Sequence, residues 1–352
     1  MRGKKRSKSD QHLRFPCFDS DTAPPLGINS LMMGRKVSTP KSTEKHFMKT
    51  QSEPVWQRHL KRLVYRLALH CPIGCRNSQD AAEICRVLCG HEVASTLGKL
   101  SKSGDDPAQI VRDYQLASHS HKCGTAADCF YLSVKPPALK FNAEYARAIV
   151  ATALENGHNV HFDAHGIIFA DPTLKLLEGV LQRYPVANDT LRSWQFGLTL
   201  PSRWKRSVAD ARWAVKKGVR PRLVKGDFRA DASDEVEPGK GFLALVELLA
   251  GEVAELAVAT HDCILAREAV TRCKRGGSAV QLELFFGMPS GSMMALAREL
   301  EVPVRFYVPF GDTLLIYMIR DLLANPRKIL RRSFPETVGS KEAKLARIIR
   351  SL

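Results

Sequence analysis

Residues 142–183 read NAEYARAIVATALENGHNVHFDAHGIIFADPTLKLLEGVLQR, and the reading of this stretch decides the fold. NAEYARAIVATALENG (142–157) spaces its apolar residues as one helix face, with Asn142 suited to the N-cap and Gly157 to the stop. HNVHFDAH (158–165) switches to a short strand-like run, and PTLKLLEGVLQRY (172–184) returns to helical spacing.

The same exchange continues in both directions. Downstream, LRSWQFGLTL (191–200), RPRLVKGDF (220–228), ELAVATHD (255–262), AVQLELFFGM (279–288) and VRFYVPFG (304–311) read as strands. Between them SVADARWAVKKG (207–218), GFLALVELLAGEV (241–253), ILAREAVTRCKRGG (264–277) and SMMALARELE (292–301) read as helices, and TLLIYMIRDLLAN (313–325) follows the last strand. Upstream, CFYLSVKPPAL (129–139) and HEVASTLGKL (91–100) complete eight strands, seven of them followed by a clear helical pattern. Strict alternation implies a parallel sheet, and eight units close a barrel. An open doubly wound sheet would want a glycine-rich phosphate turn after an early strand, and the sequence has none. The fold class is therefore α/β, a distorted parallel (β/α)8 barrel of TIM type. The organisation that follows is a disordered basic tail over 1–50, N-terminal helices packing on the barrel over 51–90, the barrel over 91–335, and a basic amphipathic helix over 336–352. Within 51–90, WQRHLKRLVYRLAL (56–69) is amphipathic, and a second helix runs from Ser78 to Leu88 with Asn77 or Ser78 as its cap.

Net charge is +17, but it is not evenly spread. Residues 1–66 hold 15 Lys/Arg against 5 Asp/Glu and residues 320–352 hold 9 against 3, so the middle is nearly neutral. Basic ends suit a solvated tail or peripheral contact with an anionic membrane surface. No stacking aromatics are interleaved with the basic residues, which argues against nucleic acid. No apolar run approaches the ~18 residues of a membrane span, and the N-terminus lacks a secretory core, which points to the cytoplasm, with peripheral contact at the inner membrane surface. In such a compartment the nine cysteines are expected as free thiols, and Cys71, Cys75, Cys85 and Cys89 as buried apolar side chains with no metal.

A parallel barrel keeps its chemistry at the carboxyl ends of its strands. Those ends carry Lys135, Asp163 with His165, Gln195, Arg222 with Lys225, Thr260 with His261, Phe286 with Met288, and Tyr307. A polar residue late in a buried strand is costly unless it faces a ligand, and this many form a ring around a mouth. The cations among them suit an anionic or electron-rich ligand.

LSVKPPAL, HFDAH, WQFG, RLVKGDF, ATHD, LELFFGM and YVPFGDTLLIYMIRDLLAN resemble, in this order, the strand-end motifs of the proline dehydrogenase family, over Cys129 to Asn325. The resemblance implies a barrel with non-covalent FAD, in which proline or a related cyclic or secondary amine loses hydride to the flavin and leaves as an imine. It implies Arg222 at the flavin N5 region, Gln195 at the ring edge, and Lys225, Thr260 and His261 on the ribityl and pyrophosphate. It places Lys135 by the substrate carboxylate, Asp163 paired with Tyr307 over the substrate, Phe285 beside it, and Arg320 as a fork on the carboxylate. It also implies an amine or imino-acid substrate and a quinone acceptor.

The sequence departs from the family on the substrate side. Asp321 stands where a second arginine is usual, and Ala324 where a bracing glutamate is. Strand three ends Asp163-Ala164-His165, and strand five runs into Asp227-Phe228-Arg229 rather than an aromatic pair. An acid beside Arg320 opposes a substrate carboxylate, so free proline is expected to be a poor substrate. Three classes of function follow: an amine dehydrogenase of altered specificity, a catalytically altered binding or regulatory protein, and a scaffold for tail-driven association.

Overall fold

The computed structural model describes residues 75–102, 104–121, 130–184, 195–226, 228–311 and 340–352. Eight parallel strands close on themselves in chain order: β1 (Ala94–Lys99), β2 (Phe130–Val134), β3 (Asn159–Phe162), β4 (Phe196–Pro201), β5 (Arg220–Val224), β6 (Glu255–Ala259), β7 (Ala279–Phe285) and β8 (Val304–Phe310). Closure runs through β1 and β8, with Thr96 opposite Tyr307 and Gly98 opposite Pro309. The described helices are α1 (Ser78–Gly90), α2 (Pro107–Ser120), α3 (Ala143–Glu155), α4 (Ala170–Arg183), α5 (Ser207–Lys217), α6 (Pro238–Leu249), α7 (Cys263–Gly276), α8 (Gly291–Glu299) and α9 (Lys341–Arg350).

Local chemistry sets the helix ends. Asn77 caps α1 by accepting from the Asp80 amide, and Asn142 caps α3 by accepting from Glu144 and Tyr145. α5 ends on Gly218 in the left-handed conformation that side chains resist. The outward-facing strand residues and the inner faces of the helices form one apolar cluster, including Leu132, Phe162, Leu198, Leu223, Val258, Leu284 and Phe306. Phe286 belongs to this cluster and is fully buried, so it faces the helices and not the mouth.

Two findings differ from the sequence reading. First, α2 follows β1, so every strand from β1 to β7 is followed by a helix among the described residues. Asp106 caps it ahead of Pro107, and Tyr114 on its buried face donates to the Ser133 carbonyl at 2.5 Å and accepts from the Lys99 amide at 3.0 Å. Second, Cys89 is disulfide-bonded, which corrects the expectation that all thiols are free. Cys75, Cys85, Cys263 and Cys273 are free. Burial pushes Cys75 up to about 12 and Cys273 up to about 11, so neither is a thiolate at neutral pH. The C-terminal helix α9 packs on the rest of the chain. Ile348 and Lys344 are buried, Leu345 lies against the core, Lys341 pairs with Asp80 at 2.7 Å, and Arg298 donates to the Ser351 carbonyl at 3.0 Å.

No helix among the described residues is long and apolar enough to cross a membrane. The tail over 1–50, the helix over 56–69 and the helix over 313–325 lie outside the described residues.

Candidate active site

Strand alternation sends every second side chain into the barrel, and here the interior is polar where most such barrels are aliphatic. Near the amino ends of the strands, Arg220 pairs with Glu255 and donates to Gln281 at 2.8 Å. Arg305 donates to the same Gln281 oxygen at 2.6 Å and to the Ser95 carbonyl at 2.7 Å. Both guanidiniums lie against the Tyr131 ring, at 5.2 Å and 4.6 Å from its centroid. Through these bonds the layer ties β1, β5, β6, β7 and β8 together.

Above it, everything converges on Asp163, just past the end of β3. One carboxylate oxygen accepts from Lys135 Nζ at 2.5 Å, Ser133 Oγ at 3.1 Å and Tyr307 OH at 3.2 Å. The other accepts from Thr199 Oγ1 at 3.0 Å and from the Arg222 guanidinium. Arg222 in turn donates to Glu283 Oε1 at 2.7 Å and to Thr199, while Lys135 Nζ also lies 3.1 Å from the Tyr307 hydroxyl. Phe285 stacks on Tyr307, centroids 5.5 Å apart and planes 17° from parallel. Burial alone would raise the Asp163 carboxyl, but Lys135 and Arg222 beside it hold it well below the usual carboxylate range. Burial would likewise lower Lys135 and Arg222, yet Asp163 raises Lys135, and Glu283 and Asp163 raise Arg222. Asp163, Lys135 and Arg222 are therefore charged at neutral pH. His161, under Thr199 at 2.8 Å, is pushed well down by burial and by Arg222, and stays neutral.

Two glycines make room for this layer. A Cβ on Gly98 would meet the Tyr307 hydroxyl at 1.9 Å, and one on Gly197 would meet His161 Nδ1 at 2.1 Å. Gly98→Ala is expected to cost about 1–3 kcal/mol of stability by overpacking, and Gly98→Ala with Tyr307→Phe should recover part of it. Urea denaturation of the four proteins of that cycle checks this, and a strictly additive loss would refute the contact.

The structure thus brings Lys135, Asp163, Arg222, Tyr307 and Phe285 together. Lys225 and Thr260 lie nearby at the ends of β5 and β6, with Lys225 paired to Asp262 at 2.9 Å and Thr260 Oγ1 accepting from the Asp262 amide at 3.1 Å. Two expectations need correction. Gln195 precedes β4, so it stands at the amino end of the barrel with its carbonyl accepting from the Val160 amide, and it cannot reach a ring edge at the mouth. His261 is turned to the main chain: its Nε2 accepts from the Phe285 amide at 3.0 Å and its Nδ1 lies 3.1 Å from the Pro289 carbonyl. Both ring nitrogens are thus used in joining the β6 and β7 ends, which leaves none to donate to a phosphate. Arg320 and Asp321 lie outside the described residues. Ser133, His161, Thr199 and Glu283 escaped the sequence reading, although each sits on a strand that supplied a strand-end residue and Ser133, His161 and Glu283 fall two positions before one.

No protein-family model matches this sequence, and no curated protein does. Solved structures match in fold. Proline utilization A (PutA) from Bdellovibrio bacteriovorus, inactivated by N-propargylglycine, superposes with a TM-score of 0.62 at 15% identity over 82% of this chain and 36% of that one. PutA from Corynebacterium freiburgense gives 0.56 at 13% identity, over 84% and 33%. A PutA structure with proline bound in remote sites gives 0.53 at 20% identity, over 74% and 31%. The chain spans about a third of the length of these proteins. At such identities the likeness is one of fold: the chain shares with these PutA structures a closed barrel of eight parallel strands.

Proposed function

We propose that the chain is a flavin-dependent dehydrogenase that oxidises a small cyclic or secondary amine to its imine, with FAD held non-covalently. The observation that carries this reading is the set Lys135, Asp163, Tyr307 and Arg222. Four strands far apart in sequence focus these side chains on one buried carboxylate at the mouth of a barrel of the PutA type.

The residues present suit FAD on the ring side, whereas the helix terminus beside Lys225 carries its own cap. At the start of α7, Asp262 accepts from the Ile264 and Leu265 amides at 3.1 Å each, and from Lys225. Lys225 and the two amides are thus already engaged by Asp262, the N-cap of α7. A diphosphate would have to share those donors or take them over. On the ring side, Arg222 and Lys135 bring positive charge, and Phe285 with Tyr307 a stacked aromatic face. When bound, FAD supplies the two-electron acceptor. The chain's own part is to hold Lys135 and Arg222 charged and fixed, through Asp163, where negative charge develops, and to keep their positions rigid in a polar barrel.

The purified protein is expected to be yellow, and anaerobic bleaching of its flavin against a panel of cyclic amines and amino acids tests the reading. A colourless protein that takes up no FAD would end it. Arg222→Ala should slow flavin reduction by orders of magnitude, since one lost preorganised donor costs about 3 kcal/mol. Rates unchanged at equal flavin content would remove Arg222 from the reaction.

One observation favours a second reading, a barrel that binds without turnover. Both Asp163 oxygens are saturated by five donor groups, and Arg222 is shared between two carboxylates, so the network is closed on itself. Flavin that binds but is bleached by no amine would support it.

A further inference from the structure

The two sides of the mouth differ in chemistry. Opposite the Phe285–Tyr307 pair, three separate loops bring rings into one chain. Phe141 lies 5.8 Å from Phe169, Phe169 lies 6.1 Å from His165, and His165 lies 4.7 Å from Phe228. Phe141 follows β2, His165 and Phe169 follow β3, and Phe228 follows β5, so sequence proximity does not explain their meeting. All four are half-buried, and Ile168 beside them is 70% exposed.

The backbone holds this wall in place. Lys140 and Phe141 sit at φ 52° and 54°, a left-handed conformation that residues with side chains keep only where their surroundings enforce it, and such residues gather at ligand sites. The β5 loop is stapled from the other side. Trp204 Nε1 donates to the Phe228 carbonyl at 2.9 Å, Arg203 pairs with Glu235, and the Val236 amide donates to the Arg203 carbonyl at 2.7 Å.

Charge adds the second constraint. On the described floor, Lys135 and Arg222 are balanced by Asp163 and Glu283, so the floor offers a substrate carboxylate no net positive charge. The wall is uncharged too, because burial and nearby Lys135 push His165 down to about 4.

We propose that this wall seats the carbon skeleton of the substrate, and that the substrate class is a secondary amine with an aromatic or fused-ring body. Ring faces stack on ring faces, and an ammonium beside them gains from their quadrupoles. The proposal rests on the amine-oxidising reading for the reacting nitrogen but not for the ring.

The test uses the full chain loaded with FAD, with 1,2,3,4-tetrahydroisoquinoline and pyrrolidine as probes, and reads both equilibrium binding and flavin bleaching. The aryl amine is expected to bind at least tenfold more tightly than pyrrolidine. Phe228→Ala should abolish most of that ratio while leaving pyrrolidine binding within twofold, and Phe141→Ala, on a different loop, should do the same. Equal binding of aryl amine and pyrrolidine would overturn the proposal, as would variants that weaken both alike. If flavin binds and pyrrolidine bleaches it as fast as the aryl amine, the wall proposal fails while the dehydrogenase reading stands. If no flavin binds yet the aryl preference persists and is lost in Phe228→Ala, the wall proposal stands and the dehydrogenase reading fails.

Discussion

Asp163→Ala is expected to lower stability by about 3–5 kcal/mol, because it removes one partner of a buried charge network and strands the others. Lys135 and Arg222 both use this carboxylate, and neither side chain is more than 11% exposed. Arg222 keeps Glu283, so the larger share of the loss falls on Lys135, whose ammonium would be left with the Tyr307 hydroxyl. Ser133, Thr199 and Tyr307 lose an acceptor as well. Urea denaturation at neutral pH measures the change. Asp163→Asn, which keeps the shape and loses the charge, should lie between wild type and Asp163→Ala. A loss under about 1 kcal/mol for Asp163→Ala would mean that water replaces the carboxylate and that the network is far less dry than its burial implies. The same variant bears on function, since a site that depends on charged Lys135 and Arg222 held in place should lose both affinity and turnover.

The fold was legible because its rules are local. Period changes at 142–183, the Asn77 and Asn142 caps and the Gly218 stop each report one element, and eight repeats of strand and helix leave few topologies open. α2 was missed because its buried face uses Tyr114, Ala117 and Ser118 among polar neighbours, so the apolar stripe is faint. Asp106 before Pro107 was the signal that could have found it. Gln195 was misplaced by a boundary. In a strand over 191–200 it is only the fifth of ten residues, and since β4 begins at Phe196, six residues of strand, about 20 Å, separate it from the mouth. The strand-end list found half of the site because it stopped at the last residue of each strand. Ser133, His161 and Glu283 lie one pleat further in, where alternation alone would have placed them on the same face. No local pattern announces that Lys135, Asp163, Arg222 and Tyr307 share one carboxylate, because that depends on barrel closure bringing β2, β3, β5 and β8 around a common axis.

Acid should destabilise this protein through its buried histidines, and two of them, outside the site, let the effect be tested without touching it. His121 and His158 are buried behind β2, with ring centroids 5.4 Å apart. His121 stacks on Phe130 at 3.9 Å beside the Ala82 backbone, while His158 shares a 2.9 Å hydrogen bond with Ser118. Burial pushes both down to about 4; Arg86 on α1 adds to the effect at His121, and His121 and His119 add to it at His158. In the unfolded chain each takes its proton near pH 6.5, so below that pH the unfolded state binds more protons. Stability is therefore complete above pH 6.5 and falls as pH drops towards 4, by about 3 kcal/mol per histidine. Asp163 does not contribute in this window, because its carboxyl stays ionised to far lower pH. His161, His165 and His261, also held down by burial, add to the same slope. Unfolding midpoints in urea measured from pH 7.5 to 4.5 should show the fall. His121→Phe, which keeps the stack on Phe130, should flatten it, and His158→Gln, which keeps a partner for Ser118, should flatten it further. If both variants lose stability with the same pH slope as wild type, the buried pair titrates no differently folded than unfolded, and the acid sensitivity lies elsewhere.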